Sequence, residues 1–406
     1  MKMKRKRVLP KGWKEITIGE VFKTGSGGTP LSTNKEYYEG GTIPWINSGE
    51  LNQNYIDKTD NYISDLGLNN SSAKVFPKGT VLIAMYGATA GKTSLLNIDA
   101  CTNQAICAIL ENPDYSNLFL KYNLENLYEY LVNTSSGSAR DNLSQEGIAK
   151  LSLYFPKERE LQEKLINVLK IIDQKIILNT RINVELEAMA KQLYDYWFVQ
   201  FDFPDENGNP YKSSGGKMVY SPTLKREIPA GWEVRGVKHF ADIFTGKKDV
   251  SKVTPGDYLF FSCAPNPISS NEFIYDGEIV LVSGNGSYTG RVSYYNGKCD
   301  LYQRTYGCVL RNGFKDYYPW FYSYMKFYFQ PLNTGGKHGS AIPYIVYSDL
   351  ADSIIVSNEK IIAEFSNKIR SIFNYRFLVQ QKENDKLTHL RNSLLPMLMN
   401  GQVTVE

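Results

Sequence analysis

The chain repeats itself, and internal repetition restricts the available folds more than any local pattern does. Leu9-Pro10-Lys11-Gly12-Trp13 returns as Ile228-Pro229-Ala230-Gly231-Trp232, 219 residues later. Gly79-Thr80-Val81-Leu82-Ile83 returns as Gly277-Glu278-Ile279-Val280-Leu281 at an offset of 198. Gly91-Lys92 and Gln104 return as Gly290-Arg291 and Gln303 at 199. Asp114-Tyr115 and Gly137-Ser138-Ala139 return as Asp316-Tyr317 and Gly339-Ser340-Ala341 at 202. Ordered matches with a slowly drifting offset indicate a tandem duplication. Trp13 to Gly79 spans 66 residues and Trp232 to Gly277 spans 45, so the first copy carries 21 extra residues. A surface loop around Thr29–Asn61 is the expected place for them, because loops absorb insertions.

Each copy reads as an α+β globule followed by a long helix. Val75–Met85 and Phe273–Ser283 hold short apolar, β-branched runs bounded by Gly and Pro, which predicts strands. Leu120, Leu124, Leu127 and Leu131 share one helical face after an Asp cap, predicting a helix over Asp114–Val132. Its counterpart is Asp316–Phe329, with Pro319 early, where a helix tolerates it.

In the helical segments a heptad reading places Leu165, Ile172, Asn179, Leu186 and Leu193 at one seam position. Val168, Lys175, Ile182, Met189 and Tyr196 take the other. An offset of 201 gives Ser366, Phe373, Gln380, Leu387 and Leu394, with Ile369, Arg376, Glu383, Leu390 and Met397. Both segments have apolar ends and a polar middle. Asn179 and Lys175 are expected to meet Gln380, Glu383 or Arg376 there, fixing the register of an antiparallel pair. The competing reading is two amphipathic helices, each packed on its own globule.

These patterns predict an α+β chain: two similar α+β globules separated by an antiparallel two-helix coiled coil, pseudo-twofold by tandem duplication. The expected divisions are a first globule over 1–157 and a central helical spacer over 158–200. A linker with the second globule follows over 201–358, then a C-terminal helical spacer over 359–406. The 406 residues suffice for several cores, and 42% hydrophobic with 22% charged residues is ordinary globular composition. No apolar run approaches the ~20 residues needed to span a bilayer. The basic start Met1–Arg7 is not followed by the apolar segment of a secretory signal. Five scattered cysteines without CxxC spacing suit a reducing, cytoplasmic setting. The three histidines form no zinc pattern, so no metal site is expected.

Enzymatic motifs fail on spacing. Gly87-Ala88-Thr89-Ala90-Gly91-Lys92-Thr93 has three residues between its glycines where a P-loop needs four. The second copy, Gly286–Val292, keeps that spacing with Arg for Lys and no following hydroxyl. A P-loop-like ATPase at Gly87–Thr93 is the alternative function; a Gly-containing turn presenting a cation fits better. A stand-alone DNA methyltransferase is a further alternative, but the Asn/Asp-Pro-Pro-aromatic motif that holds a flipped base is missing. The chain reads as a scaffold rather than an enzyme.

The ordered set of motifs resembles the DNA-specificity subunit of type I restriction–modification systems. The resembling pieces are the Pro-x-Gly-Trp openings Leu9–Trp13 and Ile228–Trp232, then Ser26-Gly27-Gly28-Thr29-Pro30 and Ile43-Pro44-Trp45-Ile46. Ala90-Gly91-Lys92-Thr93 and Thr102-Asn103-Gln104-Ala105 follow. Tyr194–Phe203 resembles the end of the family's central helix and Leu390–Leu398 its C-terminal one. The second copy departs from the pattern: it lacks the Gly-Gly-Thr-Pro and Ile-Pro-Trp segments and has Gly246-Lys247-Lys248 in the place of the former.

The resemblance implies two target-recognition domains, each reading one half of a split double-stranded DNA target, with the helices setting the gap. It implies two modification subunits that bring S-adenosylmethionine and motor–nuclease restriction subunits that bring ATP and Mg²⁺, in defence against foreign DNA. It implies no cofactor, no catalytic residue and no membrane contact on this chain. Candidate DNA contacts are Asn47, Ser48, Lys92, Thr93, Asn103, Gln104 and Arg140 in the first copy. In the second they are Lys247, Lys248, Arg291, Gln303, Arg304, Lys337 and His338. Amide and guanidinium groups pair with base edges and cations with phosphate; for each residue a structural role is the competing reading.

Overall fold

A computed structural model describes residues 9–136, 143–329 and 343–405. Its contacts divide the chain into two compact units. The first is Met1–Ile177 with Lys386–Glu406; the second is Leu178–Asp385. Each unit therefore holds one globule together with parts of both helical segments.

In the first unit a five-stranded sheet runs in the order Thr24–Ser26, Ile106–Ile109, Val81–Ala84, Thr93–Leu96, Tyr55–Ile56. The last pairing is parallel, with Tyr55 opposite Leu95. The central strands Val81–Ala84 and Ile106–Ile109 are unbroken apolar runs, buried along their whole length, because both faces of the sheet are covered there. Helix α1 (Asn117–Asn126) is capped by Ser116, whose hydroxyl accepts from the Phe119 N–H. The expected single helix over Asp114–Val132 is thus interrupted at Leu127, and a second helix follows over Tyr128–Ser136.

The extra residues of the first copy are not a surface loop. Ile43–Ile46 pairs in parallel with Ala100–Thr102 inside a four-stranded sheet, and Trp45, Ile63, Ala73 and Cys101 close a small core there. An Ile-Pro-Trp-Ile run carries too much apolar surface to leave in water; burial of each such large side chain contributes about 1.5–3 kcal/mol.

The second unit repeats the plan. Its sheet runs Ala241–Thr245, Thr305–Leu310, Tyr275–Ser283, Val292–Leu301, Tyr258–Phe261, Ile268–Ser270. Five of these strands take the order of their counterparts, including the parallel fifth, with Leu259 opposite Cys299. Each unit also closes its globule with a two-stranded ribbon after the repeated tryptophan: Trp13–Thr17 on Ser152–Pro156, and Glu233–Gly236 on Ile354–Ser357.

The long helices are α2 (Arg159–Tyr194), α4 (Glu359–Asn374) and α5 (Gln381–Met399); α3 (Tyr318–Phe327) is the counterpart of α1. π-helical turns over Asp195–Val199 and Tyr375–Gln380 extend α2 and join α4 to α5. Within the second unit the segments run antiparallel. Arg376 donates to Asn183 and Glu187 at 2.8 Å each, while Asn179 Nδ2 donates to Glu383 at 2.7 Å and Asn384 at 2.8 Å. The Gln380 amide also donates to the Asn179 carbonyl. Asn179 thus meets two of its expected partners, whereas Arg376 bonds α2 about one to two turns further along, at Asn183 and Glu187.

The first heptad position lies inward throughout. Leu165, Ile172, Asn179, Phe373 and Gln380 are buried; Leu186, Leu193, Leu387 and Leu394 are half-buried. The second position does not. Val168 is half-buried and Lys175, Met189 and Tyr196 are exposed, Met189 at 56%; Leu169, Ala190 and Trp197, one place after Val168, Met189 and Tyr196, are buried instead. On the C-terminal segment Ile369 and Arg376 are buried, but beyond the π-helical turn Leu390 and Met397 are exposed and Leu398 is buried. The π-helical turn holds an extra residue and shifts the phase. The wider stripe has a second cause: each helix packs on a globule as well as on its partner. Leu165, Ile166 and Leu169 share a core with Phe119, Phe155 and Leu398.

Candidate nucleic-acid interface

The Ala88-Thr89-Ala90-Gly91 and Ser287-Tyr288-Thr289-Gly290 turns form the same hairpin in both units. In the first, Gly91 N–H donates to the Ala84 carbonyl at 2.9 Å and Ala84 N–H to the Lys92 carbonyl at 3.0 Å. Ala90 N–H and Lys92 N–H donate to the carbonyls of Gly87 and Thr89. In the second, Gly290 and Ser283, Ser283 and Arg291, Thr289 and Gly286, and Arg291 and Tyr288 make the same four bonds. Gly87, Gly91, Gly286 and Gly290 all take φ between 78° and 89°, the left-handed region that glycine enters freely. The N–H groups that would wrap a phosphate are consumed inside the hairpin, and a strand follows rather than a helix. This turn is therefore not a P-loop, which removes the basis of the ATPase alternative.

Around the first hairpin, residues far apart in sequence converge. Thr29 Oγ1 donates to Gln104 Oε1 at 2.5 Å, and Asn103 Nδ2 donates to Asn47 Oδ1 at 3.1 Å. The hairpin joins through Thr89 Oγ1, which donates to the Ser48 carbonyl at 2.7 Å. Glu50 holds the loop from beneath, accepting from Asn47 N–H at 2.8 Å and from Asn61 Nδ2 at 3.2 Å. Parallel pairing of Ile43–Ile46 with Ala100–Thr102 brings the segments after those strands together. Gln104 is exposed, and with its carbonyl oxygen engaged its amide N–H groups are left to donate outward. Asn47, Ser48, Asn103 and Gln104 thus form one polar edge, to which the structure adds Thr29, Thr89 and exposed Tyr86. The Gly-Gly-Thr-Pro motif pointed to Thr29; no sequence pattern marked Thr89 or Tyr86.

Lys92 and Thr93 stand apart from this edge. Lys92 Nζ lies 4.3 Å above the Tyr128 ring, a cation–π contact. Thr93 is buried in its strand, and its hydroxyl has no partner among the described residues. Both line a cavity of about 510 Å³ with Asn54, Glu125, Tyr128 and Arg391. Arg140 lies outside the described residues.

The second unit brings 247–249 and 302–304 together at the matching place. Gln303 N–H donates to the Lys248 carbonyl at 3.1 Å, and its Nε2 donates to Asp249 at 3.4 Å. Lys248 Nζ sits 2.5 Å from Glu272 and 3.3 Å from buried Asp300; the hydrogen bond to Glu272 raises its pKa despite some burial. Lys247 and Arg304 are exposed. The Arg304 carbonyl accepts from Gly284 N–H at 2.8 Å and from the Cys263 thiol at 3.5 Å, seating the hairpin. Arg291 bonds the Ala264 carbonyl and lies 5.6 Å from the Tyr288 ring. Burial lowers its pKa, because a guanidinium partly removed from water loses hydration. Arg291 braces the loop. Lys337 and His338 lie outside the described residues.

Among the described residues no group of three or more His, Cys, Asp or Glu side chains is arranged to hold a metal ion. No helix there is long and apolar enough to cross a membrane.

The family described as type I restriction modification DNA specificity domain matches residues 10–188. The type I restriction enzyme MjaIX specificity subunit of Methanocaldococcus jannaschii is 26% identical over 430 residues, covering 98% of this chain and 95% of that protein. Residues 10–188 carry a type I restriction–modification DNA-specificity domain, and the whole chain is similar to specificity subunits. The HindI specificity subunit of Haemophilus influenzae is 22% identical, covering 96% of this chain and 99% of its own. The crystal structure of the S subunit of M. genitalium has the same fold, with a TM-score of 0.58 at 15% identity and 98% of each chain covered. Those relatives are named specificity subunits, the non-catalytic parts of restriction–modification complexes. Such a subunit must offer two surfaces that discriminate DNA sequence. The polar edge of the first unit and the 247–249/302–304 edge of the second occupy matching places beside the two hairpins.

Proposed function

We propose that the chain reads a bipartite sequence in double-stranded DNA, one half-site per globule. Contacts come from the exposed edges beside the two hairpins, with Asn47, Ser48, Asn103 and Gln104 in the first and Lys247, Gln303 and Arg304 in the second. Asn and Gln offer paired donor and acceptor to adenine edges, and Arg offers two donors to guanine. The single observation that supports this reading most is the matched construction of the two units: the same strand order, the same hairpin, and different side chains at the edges beside it. A duplicated frame with divergent edges suits two half-sites of different sequence.

The helical segments set the number of base pairs between half-sites and dock two modification subunits. Exposed Leu178 and Met189 on α2 and Val379 beside α5 are apolar surface available to such partners. Those subunits supply S-adenosylmethionine and methylate adenine; motor–nuclease subunits supply ATP and Mg²⁺ and cut unmethylated DNA. The complex works on DNA in the cytoplasm. Phosphate contact then makes binding by the assembled complex fall with salt.

The test is a map of methylated adenines in DNA from cells carrying the chain with its modification subunits, against cells lacking the chain. One split motif, absent from the control, is expected. Methylation without a split motif, or unchanged on removal of the chain, would sink the reading.

A further inference from the structure

Each unit contains an ion-pair cluster where its globule meets both helical segments, and the two clusters have opposite signs. In the first unit Glu125 of α1 is the globule's group. Arg391 of α5 bonds Glu125, and its Nε donates to Asp173 Oδ1 of α2 at 2.6 Å. The three side chains are 17%, 14% and 2% exposed. Lys121 of α1 also bonds Glu125 from within the same helix. Across the junction, read as globule, central group, neighbouring helix, the cluster is acid–base–acid. In the second unit Lys326 of α3 is the globule's group. Its Nζ lies 3.7 Å from Glu187 of α2, which also accepts from Arg376 Nη2 at 2.8 Å. That cluster is base–acid–base.

Stability alone does not require the inversion, since one polarity used twice would join globule and helices equally well. The inversion matters for which segment pairs with which. Asp173 and Glu187 lie on the same helix, α2. Pairing α2 with the α2 of a second copy would bring Glu187 toward the place that Arg391 fills, beside Glu125 and Asp173. Three carboxylates would then converge on the single cation of Lys121, which bonds Glu125, in a half-buried site. Pairing two C-terminal segments would bring Arg391 toward the place of Glu187, beside Lys326 and Arg376. Glu187 and Arg391 stand within one helical turn of each other when the segments are superposed by the repeat offset of 201. Like charges at such a junction oppose the wrong partner as strongly as opposite charges favour the right one.

We propose that the inverted clusters select the pairing: the first half of the chain fits the second half and rejects another copy of itself. Duplication by itself creates two near-equivalent helices that can pair like with like. The opposite charges remove that option and keep two different reading globules in one molecule.

The test inverts the second cluster in the full chain with Lys326→Glu, Glu187→Arg and Arg376→Glu. Every pair within the molecule stays opposite in charge, but both clusters now read acid–base–acid, so like-with-like pairing becomes favourable. Light scattering and sedimentation are run across a concentration series at low salt. The native chain is expected to keep one mass. The variant is expected to melt within a few degrees of the native chain and to gain a cross-chain species that grows with concentration and recedes in about 1 M salt. A folded variant with the native mass at every concentration would overturn the proposal, and so would a native chain that associates to the same extent. Should that variant not fold, the reciprocal inversion, Lys121→Glu, Glu125→Lys, Asp173→Lys and Arg391→Glu, serves with the same readout. Failure of both to fold also overturns it, because the proposal requires either polarity to serve each cluster.

Discussion

Phe201 meets the indole of Trp232 edge-on, with ring centroids 5.5 Å apart, immediately after the π-helical turn that extends α2. Its backbone is left-handed, φ 65°, the conformation in which helices commonly end. In the other unit Gly401 follows α5 with the same φ of 65° and lies against Trp13, the counterpart of Trp232. A phenylalanine accepts this strained geometry because its ring is buried among aromatic neighbours. The glycine takes it with no room to spare.

Gly401→Ala should therefore destabilise the first unit. The new Cβ would sit 2.6 Å from Pro10 Cγ and 3.0 Å from the Trp13 ring. Left-handed backbone adds about 1–2 kcal/mol for a residue with a Cβ. Urea denaturation followed by tryptophan fluorescence measures the loss. An unchanged midpoint would mean that α5 does not end against Trp13.

Replacing Arg391 by Met should cost about 3–5 kcal/mol, because Asp173 and Glu125 would lose their shared cation in a largely buried site. The effect has a pH signature. Burial pushes the Glu125 carboxyl up, but Lys121 and Arg391 outweigh it and hold the pKa below the usual carboxylate value. A depressed carboxylate adds stability that is complete above its unfolded pKa and is lost as pH falls through the folded one. The gap between native and Arg391→Met stability should be widest near neutrality and narrow in acid. Denaturation midpoints from pH 7 down to about pH 3 test this.

The buried amides of the seam should behave differently. Asn179 Oδ1 and Gln380 Oε1 have no hydrogen-bond partner among the described residues. Asn179→Leu with Gln380→Leu is expected to be neutral or stabilising by about 1 kcal/mol, because it removes two unpaired buried oxygens, while Glu383 and Asn384, which lose a donor, are only half-buried and can turn to water. Register is the property at risk, since a polar seam residue fixes alignment at the expense of stability. A thermal melt reports the first effect. The number of base pairs between methylated half-sites reports the second, and should become heterogeneous.

Gln104→Ala should weaken recognition in one half-site only, by about 1–3 kcal/mol if its amide reads a base edge. Methylation mapping would show relaxed sequence at a single position with the other half intact. Uniform weakening across both halves would assign Gln104 to phosphate contact or to folding.

The duplication was readable because it lies in Gly, Pro and Trp, whose backbone and packing demands tolerate few substitutes. The first heptad position was readable because Leu165, Ile172 and Phe373 bury apolar bulk under either description of the seam. The second position was not: heptad arithmetic assumes one neighbour per helix, and α2 has two. The folded insertion around Trp45 escaped notice because spacing measures only length. Lys92 and Arg291 looked like phosphate contacts because charge is visible in sequence, while the Tyr128 ring and the Ala264 carbonyl that engage them come from distant segments. The polar edge of Thr29, Asn47, Asn103 and Gln104 was half legible. Its residue types were apparent, but their meeting depends on a parallel strand pair that only the fold supplies.

The seat of the second hairpin has a practical side. Burial raises the Cys101 thiol to about 11 and those of Cys107, Cys299 and Cys308 to about 12, so none of these four offers appreciable thiolate at neutral pH. Cys263, partly open beside Arg304, remains. A maleimide dye would accordingly mark the native chain once, at the root of one hairpin, and its emission would follow that site through complex formation without any engineered cysteine.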